Sequence, residues 1–182
     1  AIQLEDQVFP KRCGHFAGKA VAPLSEMLDK IRAAVDARRD ADFQIIARTD
    51  ARAVEGFEGA IERAARFAEA GADILFVEAM TTAQEIREIP KRLNHPLLIN
   101  IVVGGKTPTL TAEELGKQGY SLVLYANAAL QGAVLGMQKA LSTLRRDGKL
   151  DEDPDLLAPF KERQRLVSKD LYDELEQRAA ER

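Results

Sequence analysis

The chain has 182 residues, 46% of them hydrophobic, and a formal net charge of −3. This length is enough for one hydrophobic core, and the near-balanced charge excludes the usual nucleic-acid-binding protein. The sequence predicts no membrane-spanning run and no membrane partner. Its single cysteine, Cys13, cannot form an internal disulfide, which favours a reducing, cytoplasmic compartment.

Short apolar runs alternate with segments of helical period along most of the chain. This alternation predicts right-handed βαβ units, and therefore an α/β fold with a parallel sheet. Five such strands build either an open doubly wound sheet or the last five strands of an eight-stranded barrel, and periodicity alone leaves both open. The predicted strands are Ile2–Leu4, Phe43–Ala47, Ile74–Val77, Leu97–Val103 and Leu122–Ala126.

Helices are predicted between these strands and after the last one. One helix is expected to follow Ser25 as its N-cap, and Thr111 opens another with a capping-box pattern. The polar tail after Lys149 predicts a charged helix over about residues 166–182, with a thin apolar stripe suited to docking on a partner. The other predicted helices are Glu58–Glu69, Thr82–Leu93 and Ala128–Arg146.

A charged or amide side chain follows four of the predicted strands, and the remaining strand, Leu97–Val103, contains Asn100. Ligands of parallel α/β folds bind at the carboxyl ends of the strands, so these side chains are expected to meet at one edge. A single polar strand end is as often structural as functional, but five at one edge predict a site. Carboxylates combined with one arginine suit a divalent cation and an anionic substrate. The residues are Glu5 with Asp6, Arg48 with Asp50, Glu78, Asn100 and Asn127.

Two loops add to this prediction. Cys13 stands among Lys11, Arg12 and His15, a cationic setting that favours the thiolate and makes a buried, purely structural cysteine the weaker interpretation. The loop 104–108, Gly-Gly-Lys-Thr-Pro, lacks the Walker spacing and is interpreted as a flexible loop over the site rather than a phosphate-binding loop. His95, beside Pro96 in a turn, is expected to be merely solvated.

These motifs resemble a known family. Glu5-Asp6-Gln7, followed by Lys11-Arg12-Cys13-Gly14-His15, is similar to the signature of the lyase branch of the isocitrate lyase / phosphoenolpyruvate mutase superfamily. The resemblance continues through 47–51 (Ala-Arg-Thr-Asp-Ala), 77–79 (Val-Glu-Ala), 100–102 (Asn-Ile-Val) and the loop 104–108.

The resemblance implies a (β/α)8 TIM-type barrel. Residues 1–150 would be its C-terminal part, strands four to eight, and residues 151–182 a helical extension exchanged between the subunits of a homotetramer. The chain opens inside an apolar run at Ile2–Leu4, so it is expected to be part of a longer protein and inactive by itself.

The implied activity is a carbon–carbon lyase that uses Mg²⁺ (or Mn²⁺) to cleave a small 2-hydroxy di- or tricarboxylate of methylisocitrate or dimethylmalate type. The alternatives are a carboxyphosphonoenolpyruvate phosphonomutase, an oxaloacetate-acting relative or an inactive fragment. Val103 and Gln131 depart from the family pattern, which often has Glu and Arg there. The resemblance assigns acid/base chemistry to Cys13, substrate binding to Gly14, His15, Arg48, Glu78 and Asn100, and a water-linked metal contact to Glu5.

Overall fold

Five parallel strands in the order β1-β2-β3-β4-β5 form the framework of the computed structural model, which describes residues 1–181. They belong to a first compact unit, Ala1–Asn127, and a second unit begins at Ala128. The strands are β1 Ile2–Glu5, β2 Ile45–Thr49, β3 Ile74–Val77, β4 Leu97–Asn100 and β5 Leu122–Leu124.

The strand order decides between the two predicted topologies. Each crossover moves to the next neighbour in the same direction. Right-handed crossovers that always advance the same way place the connecting helices on one face, as in a (β/α)8 barrel, whereas a doubly wound sheet reverses its order at a switch point. The open doubly wound alternative is therefore wrong, and the five strands form a continuous segment of barrel type.

Four strands differ from the predicted bounds, β1 only by its last residue, Glu5. β2 begins at Ile45 rather than Phe43, because Phe43 lies in a turn where its N–H donates to the Asp40 carbonyl. It also continues through Thr49, which pairs with Val77 of β3. β4 and β5 end earlier than predicted, because their ladder stops at the pair Asn100 and Leu124.

Four helices connect the strands of the first unit: α1 Leu24–Ala37, α2 Gly56–Glu69, α3 Ala83–Arg92 and α4 Ala112–Gln118. The predicted capping box at Thr111 is confirmed, and Thr82 forms a second one, each threonine accepting from the backbone three residues on. The prediction of Ser25 as an N-cap is wrong. The cap position of α1 is Pro23, which leaves Ser25 inside the first turn.

The core lies between the helices and one face of the sheet. Ala47, Leu75 and Ile99 project from alternate strand positions into a buried cluster with Met27 of α1 and Phe67 of α2. Because side chains alternate across a strand, the intervening residues occupy the opposite face. That face carries the polar residues at the carboxyl ends of the strands.

His95 is held in place rather than merely solvated. Its Nε2 lies 2.7 Å from the carbonyl oxygen of Ala72, and the ring is half-buried. The expectation that His95 is merely solvated was wrong, because the turn before β4 contacts the turn before β3.

The second unit contains three helices among the residues described: α5 Ala128–Asp147, α6 Phe160–Leu166 and α7 Lys169–Ala180. α5 ends at Asp147, one residue beyond the predicted end at Arg146. The tail helix predicted over about residues 166–182 is confirmed as α7, which begins three residues later than predicted, after Ser168 in a left-handed conformation (φ 52°). The helix α6 before it was not predicted, and residue 182 lies outside the described residues. No helix within residues 1–181 is long and apolar enough to cross a membrane.

Candidate active site

A cavity of about 150 Å³ opens at the carboxyl ends of the strands in the first unit. It brings together six of the seven residues to which the family resemblance assigns a role. The seventh, Glu5, lies beside it, with Oε2 3.6 Å from Arg48 Nε and Oε1 2.9 Å from Lys11 Nζ. The cavity is lined by Lys11, Arg12, Cys13, Gly14, His15, Arg48, Glu78, Asn100, Val102, Ala126 and Asn127.

Arg48 is the cation at the floor of this cavity. Its guanidinium grips the Asp50 carboxylate with two hydrogen bonds, Nε at 2.8 Å and a terminal nitrogen at 3.1 Å. The other terminal nitrogen lies 3.2 Å from Glu78 Oε2, and the group stacks over the Phe76 ring, 5.1 Å from its centroid. Hydrogen bonds, an ion pair and a ring contact therefore fix the orientation of the nearly buried Arg48 guanidinium.

The charges of this group are set by its surroundings. Burial by itself would lower the pKa of Arg48, but the hydrogen bonds to Asp50 and the charges of Glu78, Asp50 and Glu5 outweigh it and raise that pKa. Burial likewise pushes the pKa of Asp50 up, yet the hydrogen bonds and charges of Arg48 and Lys19 bring it below its usual value. Both groups are therefore ionised near neutral pH.

Glu78 is the second centre of contacts. It follows β3 and is almost fully buried, with Oε1 accepting from the Ala79 N–H at 3.0 Å. The Asn100 side-chain amide donates to its Oε2 at 3.3 Å. Within residues 1–181 no hydrogen-bond donor meets the buried Asn100 Oδ1. An acceptor at the cavity is thus left without a partner from the chain.

His15 links the cysteine loop to the loop 104–108. Its Nδ1 accepts the N–H of Lys106 at 2.9 Å, which assigns the proton of the neutral ring to Nε2, 3.2 Å from Glu78 Oε1. A Cβ on Gly105 would lie 2.8 Å from His15 Nδ1, so only glycine permits this approach. The interpretation of 104–108 as a loop at the site, rather than a phosphate-binding loop, agrees with this contact.

Two side chains hold the cysteine loop in place, a role that the sequence analysis did not predict for either of them. Gln7 is hydrogen-bonded to both backbone groups of Arg12, at 2.8 and 2.9 Å. Lys19, whose side chain is only 1% exposed, donates to the Gly14 carbonyl and to Asp50 Oδ1. The available signal for Lys19 was a single charge within the small and apolar stretch 17–22.

Cys13 lies on this loop and is exposed, in agreement with the interpretation that its charged neighbours disfavour burial. Its neighbour Gly14 is buried against Arg48 and Glu78. The loop therefore presents a thiol at the cavity while its next residue is packed against the floor.

Glu5 fits a metal only in a limited way. No group of three or more His, Cys, Asp or Glu side chains in the described part of the chain is arranged to hold a metal ion. The Glu5 carboxylate supplies the oxygen type that Mg²⁺ prefers, but its neighbours are two cations, Lys11 and Arg48. These residues fit a water-linked contact with a metal rather than a complete site.

Curated proteins similar to this chain include lyases and a mutase. It is 44% identical over 181 residues to 2-methylisocitrate lyase of Aeropyrum pernix, covering 100% of this chain and 57% of that enzyme. It is 39% identical to 2,3-dimethylmalate lyase of Eubacterium barkeri (96% and 61% covered) and 41% identical to the chloroplastic carboxyvinyl-carboxyphosphonate phosphorylmutase of Arabidopsis thaliana (96% and 52%). The chain thus spans little more than half the length of these relatives.

Solved structures agree with the fold. A 2,3-dimethylmalate lyase superposes with a TM-score of 0.89 at 35% identity, covering 97% of this chain and 59% of that one. Oxaloacetate acetylhydrolase with 3,3-difluorooxalacetate superposes at 0.88 and 34% identity (98% and 60% covered). Phosphonopyruvate hydrolase, solved with oxalate and Mg²⁺, superposes at 0.79 and 31% identity (97% and 61%).

The family assignment rests on both kinds of similarity. Residues 1–145 match the phosphoenolpyruvate phosphomutase family. The sequential parallel strands, the cavity at their carboxyl ends and the superposition on the dimethylmalate lyase are those of its barrel fold. This chain therefore belongs to the phosphoenolpyruvate mutase / isocitrate lyase superfamily, and its strands are part of a barrel of that family.

Proposed function

We propose that the whole protein is a carbon–carbon lyase that cleaves a small 2-hydroxy di- or tricarboxylate, of methylisocitrate or dimethylmalate type, into an α-keto acid and a second carboxylate. The observation that carries this proposal is the shared cavity of Cys13 and Arg48. A thiol is a suitable acid for a carbanion carbon, and an oriented guanidinium binds a carboxylate in two-point fashion. The similar lyases from Aeropyrum and Eubacterium agree with this choice.

The proposed reaction assigns a role to each cavity residue. Arg48 binds one substrate carboxylate, while Gly14 and His15 of the cysteine loop contact another. The proton of the substrate hydroxyl passes to solvent, and the hydroxyl oxygen becomes the carbonyl oxygen of the α-keto acid. The carbon–carbon bond breaks, and its electron pair stays on the carbon of the departing carboxylate fragment. Cys13 then donates the thiol proton to that carbon and regains a proton from solvent, and it removes the carbon-bound proton in the reverse direction.

Glu78 and Asn100 complete the pocket in this proposal. Glu78 holds Arg48 in place at 3.2 Å, and its Oε1 lies at the same distance from His15 Nε2 without forming a hydrogen bond. The buried Asn100 Oδ1, which meets no donor from the described residues, is an acceptor available to a substrate hydroxyl. Substrate binding at the floor would therefore rely on groups whose orientation is already fixed.

A divalent cation is part of the proposal. Glu5 would contribute to Mg²⁺ (or Mn²⁺) through water, with other ligands from outside this chain. When bound, the ion would act as a Lewis acid for the developing oxyanion. A Mg²⁺ ion in the phosphonopyruvate hydrolase structure supports this expectation.

The proposed assembly is a cytoplasmic homotetramer with no nucleic-acid partner. Residues 151–182 would be exchanged between subunits, with residues 1–150 forming the barrel segment. Its support is the apolar stripe of α6 and α7, in which Leu166, Leu171 and Leu175 are all exposed. A chain that leaves such side chains in water gains by docking them on a neighbour.

A second candidate function is a phosphonomutase or an oxaloacetate-acting hydrolase. The similarity to the Arabidopsis mutase and to oxaloacetate acetylhydrolase favours it. The exposed thiol of Cys13 at the cavity is the observation against a mutase, whose group transfer requires no carbon acid.

The test is a product assay on the full-length protein with Mg²⁺. We expect pyruvate or glyoxylate to be released from at least one member of a panel of 2-hydroxy di- and tricarboxylates. Carboxyphosphonoenolpyruvate and oxaloacetate form the second arm of the panel. Turnover of only these two would replace the lyase proposal with the second candidate, and turnover of none would favour a catalytically inactive protein.

Gly14→Ala should abolish most of the activity without unfolding the protein. The added Cβ would lie 2.7 Å from a terminal nitrogen of Arg48, and closer still to Glu78 Cγ, so the loop must move away from the floor. A displacement of about 1 Å in a reacting group can cost about 100-fold in rate. Steady-state kinetics and thermal denaturation of the full-length variant measure the two effects separately.

The matched control for this variant is Gly116→Ala in α4. A Cβ there meets no atom within 4 Å, and alanine is the better helix former. We expect wild-type turnover and an unchanged or slightly higher melting temperature. Equal turnover of the two variants would show that the close packing of Gly14 has no part in catalysis.

A further inference from the structure

Lys19 is a buried cation outside the set of cavity residues. Its side chain is 1% exposed, and its ammonium donates to the Gly14 carbonyl and to Asp50 Oδ1, the latter at 3.2 Å. A buried ammonium is costly unless it is paired and hydrogen-bonded, so these two partners account for its position. They also belong to different parts of the site.

The two partners connect the cysteine loop to the substrate-binding arginine. Gly14 directly follows Cys13, so a bond to its carbonyl fixes the backbone that carries the thiol. Asp50 holds the guanidinium of Arg48 through two hydrogen bonds of its own. A single ammonium thus bridges the loop with the acid/base candidate and the carboxylate that orients the anion-binding group.

We propose that Lys19 is a positioning residue that seats the Cys13 loop on the Asp50–Arg48 pair, so that the thiol and the guanidinium keep a fixed separation across the cavity. The kinetic part of this inference rests on the proposed lyase function, whereas the seating of the loop does not. The two Arg48–Asp50 hydrogen bonds do not involve Lys19, so we expect Arg48 to keep them when Lys19 is replaced. Substrate affinity should therefore suffer much less than the proton-transfer step.

The test compares Lys19→Met with Lys117→Met in the full-length protein. Lys117 is an exposed residue of α4 paired with Glu113, so the same change there leaves the site intact. We expect Lys19→Met to lower kcat by about 100-fold, the cost of a small misplacement of a reacting group, with a smaller rise in KM because Gly14 and His15 lie on the same loop. Lys117→Met should match the wild type in both constants.

A second readout is independent of activity. The Lys106 amide donates to His15 Nδ1 on the seated loop, so its hydrogen exchange reports whether the loop is in place. We expect Lys19→Met to speed hydrogen exchange of this amide, and of the peptide 13–19, by about tenfold. The reason is that the loop loses the charge-assisted hydrogen bond between Lys19 and the Gly14 carbonyl. If Lys19→Met does not fold, Lys19→Gln against Lys117→Gln makes the same comparison with a shorter donor.

The outcomes separate the two proposals. Faster exchange in a protein whose wild type lacks lyase activity supports the seating role and removes the proposed function. In an active lyase, equal exchange or equal kcat for the Lys19 and Lys117 variants overturns the positioning role. A rise in KM with kcat unchanged also overturns it, because Lys19 would then act on substrate binding and not on the position of the thiol.

Discussion

Replacing Cys13 with serine in the full-length enzyme is expected to reduce turnover by about three orders of magnitude or more, within the range attributed to a positioned acid/base group. A serine hydroxyl is a far weaker acid than a thiol, so it exchanges a proton with carbon poorly near neutral pH. The change removes no contact that fixes the cavity floor, since Arg48, Glu78 and Asn100 hold one another. Substrate affinity should therefore remain within about threefold of wild type.

Isothermal titration with the substrate, together with single-turnover kinetics, separates binding from chemistry in this variant. Cys13→Ala is the companion variant, and we expect it to be as inactive as the serine form. Near-normal turnover of either protein would remove Cys13 from the mechanism. Loss of binding together with turnover would instead show that the loop, rather than the thiol, had been disturbed.

The parts of the site that could be predicted are those written into local patterns. Glu5, Arg48, Glu78 and Asn100 stand at or next to the ends of apolar runs, and parallel strands bring such ends to one edge. Capping at Thr111 could be read in the same way, because its partner is three residues away.

The parts that could not be predicted depend on how distant segments meet. The bond of Lys19 to Asp50 joins residues 31 positions apart, and no periodicity marks it. The contact of His95 with the Ala72 carbonyl likewise joins two turns that are 23 residues apart in the sequence. The prediction of Ser25 as a cap failed for a different reason, since the helix begins one residue before it, at Leu24, with Pro23 at the cap position.

The strand order shows a further limit of pattern reading. Each βα unit has the same local signature in a doubly wound sheet and in a barrel, since the difference lies in which neighbour a strand selects. Only the pairing of each strand with the next one in sequence distinguishes them. The family resemblance, which the cysteine-loop motif and the segments 47–51, 77–79, 100–102 and 104–108 carry together, was therefore the sequence feature that favoured the barrel.

Arg48→Lys is expected to raise KM by about 10- to 100-fold, the range that follows from losing one charge-assisted hydrogen bond, and also to lower kcat. The guanidinium grips Asp50 with two nitrogens and faces Glu78 with the third, at 3.2 Å. An ammonium has no planar fork, so it cannot keep Asp50 and Glu78 in place and still present a bidentate face to a substrate carboxylate. Arg92→Lys, at an exposed pair with Glu58, is the matched control and should leave both constants unchanged. Steady-state kinetics of both variants test the role of Arg48 in substrate binding. Wild-type kcat and KM for Arg48→Lys would show that Arg48 is a structural partner of Asp50 and Glu78 and does not bind the substrate.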